Sequence, residues 1–275
     1  MINYIGGKNK MAKWIVPFIP GDIETYVEVF GGAFWVYIKA DIYNKFKLKT
    51  VIYNDFNRFM VNLFECFRKE DFRELVCNTK SFNEEFFNES KKIVFDDTDM
   101  DNIKLGDNDL ALRYAYIMTN IFSGSRPEKS KYLYDYNDKF DSVRNRCNNY
   151  KIIEKLNKIT KCENLDYSEV IEKYDNEKTF FYVDPPYWKT EDYYSKHEFD
   201  RDDHEKLCKQ LIDIKGRFAL SYYDFPLLSE WLPKDKYSWE MKSYPKSASA
   251  TKGKEQNRGT ELLILNYPVK QLKLF

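Results

Sequence analysis

The chain has 275 residues, which suits one large domain or a core carrying an insert. Its 44 Lys and Arg balance 44 Asp and Glu, so no overall charge points to a polyanionic partner, and 43% hydrophobic with 32% charged residues excludes a disordered chain. Five scattered cysteines, never spaced C-x-x-C, argue against a disulfide framework and a structural zinc, and two histidines argue against a histidine-rich metal site. No run approaches the ~18 apolar residues of a membrane span. Met1–Lys13 lacks a signal-peptide core, so a soluble cytoplasmic protein is expected.

Short β-rich runs alternate with helical patterns. Tyr26–Phe30 ends at Gly31-Gly32 and leads into an apolar helical stretch over Ala33–Phe46. Thr50–Asn54 ends at Asp55, and Arg58–Arg68 follows with Phe59, Leu63 and Phe67 on one helical face. From about Phe72 to Thr160 the rhythm breaks, with helices predicted over Asp109–Phe122 and Ser142–Ile159 among polar turns. Strands resume at Lys161–Leu165, Thr179–Val183, Arg217–Ser221, Tyr237–Met241 and Thr260–Tyr267, with a helix over Arg201–Ile214. Seven strands interleaved with helices predict an α/β fold: an open, doubly wound, Rossmann-like sheet in two chain segments, 1–71 and 161–275. The segment 72–160 reads as an inserted, mostly helical module.

Charge is uneven despite the zero total. Residues 126–161 hold ten basic against five acidic side chains, and 242–258 hold five against one. A phosphate backbone could meet either stretch, although a solvated basic face would read the same way.

The sharpest motif is Asp184-Pro185-Pro186-Tyr187-Trp188, directly after the run TFFYV. In open α/β sheets, ligands bind in the crevice beyond the carboxyl ends of strands. Two prolines fix φ and remove two amide donors, so a carboxylate, an unpaired carbonyl and an aromatic ring share one rigid turn. An exocyclic amine on a planar heterocycle needs that set: acceptors for its N–H bonds and a face to stack upon. A proline turn with a capping Asp and a packed Tyr is the plain alternative.

Two further constellations precede it. Glu28-Val29-Phe30-Gly31-Gly32 closes the first strand with glycines that admit close approach of a ligand to the backbone, and Asp55 closes the second, where an acid can accept from ribose hydroxyls. The glycines do not spell G-x-G-x-x-G, so a nucleoside-bearing cofactor without a diphosphate fits better than a dinucleotide. At the N-terminus, Tyr4-Ile5-Gly6-Gly7-Lys8 is not a P-loop, but Lys8 can reach an anionic group. Asp97–Asp101 opens like a calcium loop, yet Asn102 and Asn108 stand where its Gly and Glu belong. His197 and His204 have no third ligand in reach by sequence and read as capping or surface residues.

Taken together, from Tyr4 to Tyr267, these motifs resemble the Dam-type (class alpha) DNA adenine-N6 methyltransferases, which use S-adenosylmethionine. The order Y-x-G-G-K, E-x-F-G-G, N-D-x-N, insert, D-P-P-Y and the closing strand Glu261–Tyr267 follows that family. The resemblance implies a site-specific enzyme that methylates N6 of an adenine flipped out of double-stranded DNA, without a metal. It implies that Asp184, Pro185, Pro186 and Tyr187 are catalytic, and that Tyr4, Lys8, Glu28, Phe30, Gly31, Gly32, Asp55, Asp166 and Asp184 surround the cofactor. The insert would then read DNA, with a hairpin within Ser123–Asn137, and Arg126, Lys129, Lys131, Arg144 and Arg146 are the DNA-binding candidates. A separate cognate restriction endonuclease would be in keeping with such an enzyme, and a bacterial or phage origin with cytoplasmic, DNA-associated action. Phe34 departs from the family pattern, standing where many members carry the second glycine of F-x-G-x-G, and it bears on cofactor affinity. A non-catalytic relative that binds the cofactor or DNA, and cytosine-N4 or RNA-adenine methylation, are the alternatives.

Overall fold

Strand residues with apolar side chains on both faces need cover on both sides, and that requirement organises this chain. In the computed structural model, which describes residues 2, 7–40, 48–79, 83–121, 127–133, 139–188, 199–245 and 258–269, seven strands form one sheet in the order β3-β2-β1-β4-β5-β7-β6. They are β1 (Thr25–Glu28), β2 (Thr50–Asn54), β3 (Lys161–Glu163), β4 (Thr179–Val183), β5 (Arg217–Tyr222), β6 (Ser238–Pro245) and β7 (Arg258–Leu265). The first five are parallel, whereas β7 runs antiparallel to both β5 and β6. Strand order reverses direction at β1, so the β1–β4 junction is the switch point where ligands bind in such sheets.

Alternation along the strands divides the core between the two faces. Tyr26, Val51, Tyr53, Phe180, Tyr182, Leu263 and Leu265 bury on one face. Helices α1 (Ala12–Ile15), α2 (Trp35–Ala40) and α3 (Arg58–Phe67) cover it. Val27, Ile52, Phe181, Val183, Leu262 and Ile264 bury on the other face. There the covering helices are α9 (Tyr167–Tyr174), α10 (Arg201–Asp213) and α11 (Leu228–Trp231).

Between β2 and β3 the chain is helical, as its pattern predicts: α4 (Glu70–Asn78), α5 (Glu84–Lys91), α6 (Asn108–Thr119), α7 (Asp141–Cys147) and α8 (Tyr150–Asn157). The single helix expected over Ser142–Ile159 is two. Asn149 breaks it, because its side chain accepts from the amides of Lys151 and Ile152 and caps α8. This region shares its apolar core with α1–α3. The Tyr37 hydroxyl donates to the Lys155 carbonyl at 3.0 Å, and Lys155 Nζ donates to the Ile38 carbonyl at 2.8 Å, joining α2 to α8.

Two hydrogen bonds fix the direction of α6. Asn57, the N-cap of α3, donates through Nδ2 to the Tyr114 hydroxyl at 3.2 Å, while Asn62, further along α3, donates to the Asp107 carbonyl at 3.0 Å. Thus α6 runs antiparallel to α3 and delivers the chain after Thr119 to the edge of the sheet where β2 ends. Residues 127–133 lie there, held by the Leu133 amide on the Asn120 carbonyl at 3.0 Å.

Candidate active site

Two chemically different sites meet at the carboxyl edge of the parallel strands. The first is a cavity of about 190 Å³ lined by Val29, Phe30, Asn54, Phe56, Leu165, Asp166, Tyr167, Phe199 and Asp203. Phe30 and Tyr167 lie stacked at 5.9 Å between ring centroids, and Phe199 meets both edge-on, so one wall is aromatic. Asp166 and Asp203 supply carboxylates from the starts of α9 and α10. Asp166 is also the N-cap of α9, in a capping box with Glu169. Its Oδ1 accepts from the amide and hydroxyl of Ser168.

The glycine turn after β1 is fitted against the end of β2. A Cβ on Gly31 would stand 2.4 Å from the Tyr53 ring and 2.7 Å from the Asn54 carbonyl, so no other residue fits there without movement. Gly32 has φ +47°. Its amide donates to Asp55 Oδ2 at 2.7 Å, and the Asn57 amide donates to Asp55 Oδ1 at 2.8 Å. Burial nevertheless raises the Asp55 carboxyl to about 6. Phe34 is the one described non-glycine residue with positive φ, at 56°. Its ring turns inward, stacked on Tyr37 at 4.7 Å and edge-on to Tyr53 and Phe64, away from the residues lining the cavity.

The second site is the turn after β4. Pro185 and Pro186 are buried, and the Asp184 side chain keeps 17% exposure. Lys8 Nζ lies 2.8 Å from Asp184 Oδ1 and 3.3 Å from Glu261 Oε1. The Tyr187 hydroxyl donates to Asp184 Oδ1 at 3.1 Å and to Glu261 Oε1. Lys8 also stands over the Tyr187 ring, 4.7 Å from its centroid. Desolvation raises the Asp184 carboxyl to about 6, opposed by Lys8 and reinforced by Glu261. On the same face of the sheet, Glu28 accepts from the Tyr26 hydroxyl at 2.6 Å and from the Tyr37 amide at 3.0 Å. Burial raises it to about 8, so it is protonated at neutral pH.

A carboxylate, two prolines and a tyrosine thus stand at the switch point, beside a cavity with an aromatic wall and a glycine turn. The model of the D12 class N6 adenine-specific DNA methyltransferase family matches residues 4–246. The chain belongs to that family. The type II methyltransferase M.FokI of Planomicrobium okeanokoites is 26% identical over 97% of this chain and 42% of its own length. The modification methylase StsI of Streptococcus sanguinis is 27% identical over 99% and 43%. The chain therefore spans less than half the length of these two relatives. The type II methyltransferase M.MjaIII of Methanocaldococcus jannaschii is 27% identical over 97% of this chain and 98% of its own length.

The fold of this D12-class chain brings together Lys8, Glu28, Phe30, Gly31, Gly32, Asp55, Asp166 and Asp184–Tyr187 at one edge of the sheet. Tyr4 and Arg126 lie outside the described residues. Lys129 and Lys131 are exposed beside the end of α6. Arg144 and Arg146, the other two candidates for phosphate contact, already hold partners within the chain. Arg144 pairs with Asp141 at 2.7 Å and donates to the Thr79 carbonyl at 2.9 Å. Arg146 lies over the Trp35 ring at 5.2 Å, half-buried, with its pKa lowered by desolvation. Leu165, Tyr167, Phe199 and Asp203 in the cavity wall, and Glu261 beside Asp184, are not among the site residues expected from sequence. The sequence marks Glu261 only as a charged residue directly before the apolar run Leu262–Leu265.

Proposed function

We propose that this chain transfers a methyl group from S-adenosylmethionine to N6 of an adenine flipped out of double-stranded DNA at one short sequence context. The observation that carries the reading is Asp184: Lys8 and Tyr187 both engage its Oδ1, and no described residue bonds its Oδ2. An amine arriving beyond β4 finds there an acceptor already fixed in direction.

The residues present suit the cofactor. The cavity with its aromatic wall and acidic rim has the size and chemistry for an adenine, with Phe30 and Phe199 as faces and Asp166 as an acceptor for its amine. Asp55 and the Gly31-Gly32 turn would meet the ribose, and Glu28 and Lys8 the methionine end. When bound, the cofactor supplies an electrophilic methyl on a sulfonium.

The chain's own residues do the rest. Adenine in a duplex is out of reach, so flipping it costs a few kcal/mol, offset in part by stacking worth ~1–3 kcal/mol per base. Tyr187 would supply that stacking, but its ring is 7% exposed and its hydroxyl is tied to Asp184 and Glu261, so the ring or its cover must shift first. Asp184 and the Pro185 carbonyl accept the two amine hydrogens and aim the nitrogen lone pair. The rate gain comes from positioning and from negative charge beside the developing ammonium. With the cofactor bound, the oriented lone pair would take its methyl as the sulfonium becomes a neutral thioether, and the proton released from the amine would pass to water.

DNA would approach along the same edge, where α6 delivers Lys129 and Lys131. The β6–β7 pair also ends there, with Pro245 opposite Arg258. Among the described residues no helix is long and apolar enough to cross a membrane. A separate endonuclease of matching specificity is part of this reading, by analogy with the relative named a modification methylase. Sequencing modified bases in DNA from cells expressing the chain tests it. Methylated adenines confined to one context are expected, and methylated cytosines, methylation in RNA alone, or none would overturn it.

A further inference from the structure

Glu261 is an acid in a place that favours apolar side chains. It lies on β7 with Thr260 exposed before it and Leu262, Leu263, Ile264 and Leu265 buried after it, and it is itself 3% exposed. Alternation puts it on the face shared with Leu263, Tyr182 and Tyr26, under the turn after β4. Burying a carboxylate costs several kcal/mol unless partners satisfy it. Its partners here are two groups that also hold Asp184: Lys8 Nζ at 3.3 Å and the Tyr187 hydroxyl. One cation and one phenol thus bridge the two carboxylates.

That wiring has a consequence for the amine. Lys8 and Tyr187 are long side chains with freedom to hold Asp184 by either oxygen, or not at all. A second acceptor beyond them removes that freedom. We infer that Glu261 is a positioning residue for methyl transfer: by anchoring Lys8 and Tyr187 it keeps both on Asp184 Oδ1 and leaves Oδ2 for the target amine. The inference rests on the proposed methyl transfer and adds to it a residue that touches neither cofactor nor base.

The test compares wild type with Glu261→Gln in steady-state kinetics on duplex DNA and S-adenosylmethionine, with thermal melting of both. Glutamine can still accept from Tyr187 but cannot pair with Lys8. The expected result is a fall in kcat of about tenfold or more while KM for either substrate moves less than about threefold, the sign of an interaction realised in the transition state. The acid limb of kcat should also move to lower pH, because one negative charge beside Asp184 is gone. Among the described residues, the groups facing Asp184 are Lys8 before α1, Glu28 on β1, Tyr182 on β4, Tyr187 on its own turn and Glu261 on β7, and of these the last alone changes. A merely structural role would lower the melting point without moving that limb.

Glu261→Asp retains the charge one methylene short, so its limb should stay in place while kcat falls by less than in the glutamine variant. It decides the matter if Glu261→Gln does not fold. An aspartate variant with wild-type kcat, or a glutamine variant with wild-type kcat and limb, overturns the inference. If wild type itself methylates no DNA, it is the proposed function that fails.

Discussion

The amide of Gly32 donates to Asp55 Oδ2 at 2.7 Å, which ties the turn after β1 to the end of β2. The other oxygen of Asp55 caps the approach to α3 through the Asn57 amide. Asp55 thus shapes the glycine turn, and in the proposed function it also offers the cofactor a carboxylate. Asp55→Ala should weaken S-adenosylmethionine binding and also cost about 1–3 kcal/mol of stability through two unpaired amides. Calorimetry and chemical unfolding check both, and unchanged cofactor affinity would remove Asp55 from the site.

Phe34 carries a backbone strain of about 1–2 kcal/mol for its positive φ, and its ring recovers more by packing among Tyr37, Tyr53 and Phe64. Phe34→Ala should therefore lower unfolding free energy by about 3–5 kcal/mol. Cofactor affinity of the folded variant should be near wild type, because Phe34 does not line the cavity. A large loss of affinity in a stably folded variant would mean that the ring shapes the pocket.

Glu28 is raised to about 8 in the folded chain from an ordinary carboxylate value of 4.5. Between those pH values the native state keeps a proton that the unfolded chain has lost, so the contribution of Glu28 to stability declines as pH rises through that window. Glu28→Gln keeps an acceptor for Tyr26 and Tyr37 without that decline. Its unfolding free energy should gain on wild type from pH 5 to pH 8, on the order of 1 kcal/mol per pH unit. A constant difference across that range would contradict the burial argument.

Much of this is legible from short-range signals. The limits of β2 and β4 match the sequence reading because each run opens with a threonine, has a β-branched or aromatic centre and ends at a motif, Asn54-Asp55 or Asp184-Pro185. The helix break at Asn149 is not, because a local cap overrides a continuous apolar pattern. Glu261 is not legible as a site residue, since its partner Lys8 lies at the other end of the chain and only sheet order joins them. A charge count also leaves out what already holds Arg144 and Arg146. It cannot see Asp141 one helical turn away on the same face as Arg144, or the Trp35 ring under Arg146.

The tethering of those two arginines changes the expected salt dependence of DNA binding. Lys129→Ala with Lys131→Ala should flatten the slope of log affinity against log salt by about one to two, roughly one per lost phosphate contact. Arg144→Ala with Arg146→Ala should lower stability and leave the slope alone. The reverse pattern would put the DNA on the α7 face.

The most direct measurement is nucleoside mass spectrometry of duplex DNA incubated with S-adenosylmethionine and either wild type or Asp184→Ala. Wild type should yield N6-methyladenine, and the variant should yield none while still binding DNA, because the proposed function has Asp184 meet the reacting amine and not the phosphates. N4-methylcytosine as the main product, no methylated base from wild type, or substantial N6-methyladenine from the variant would contradict the account.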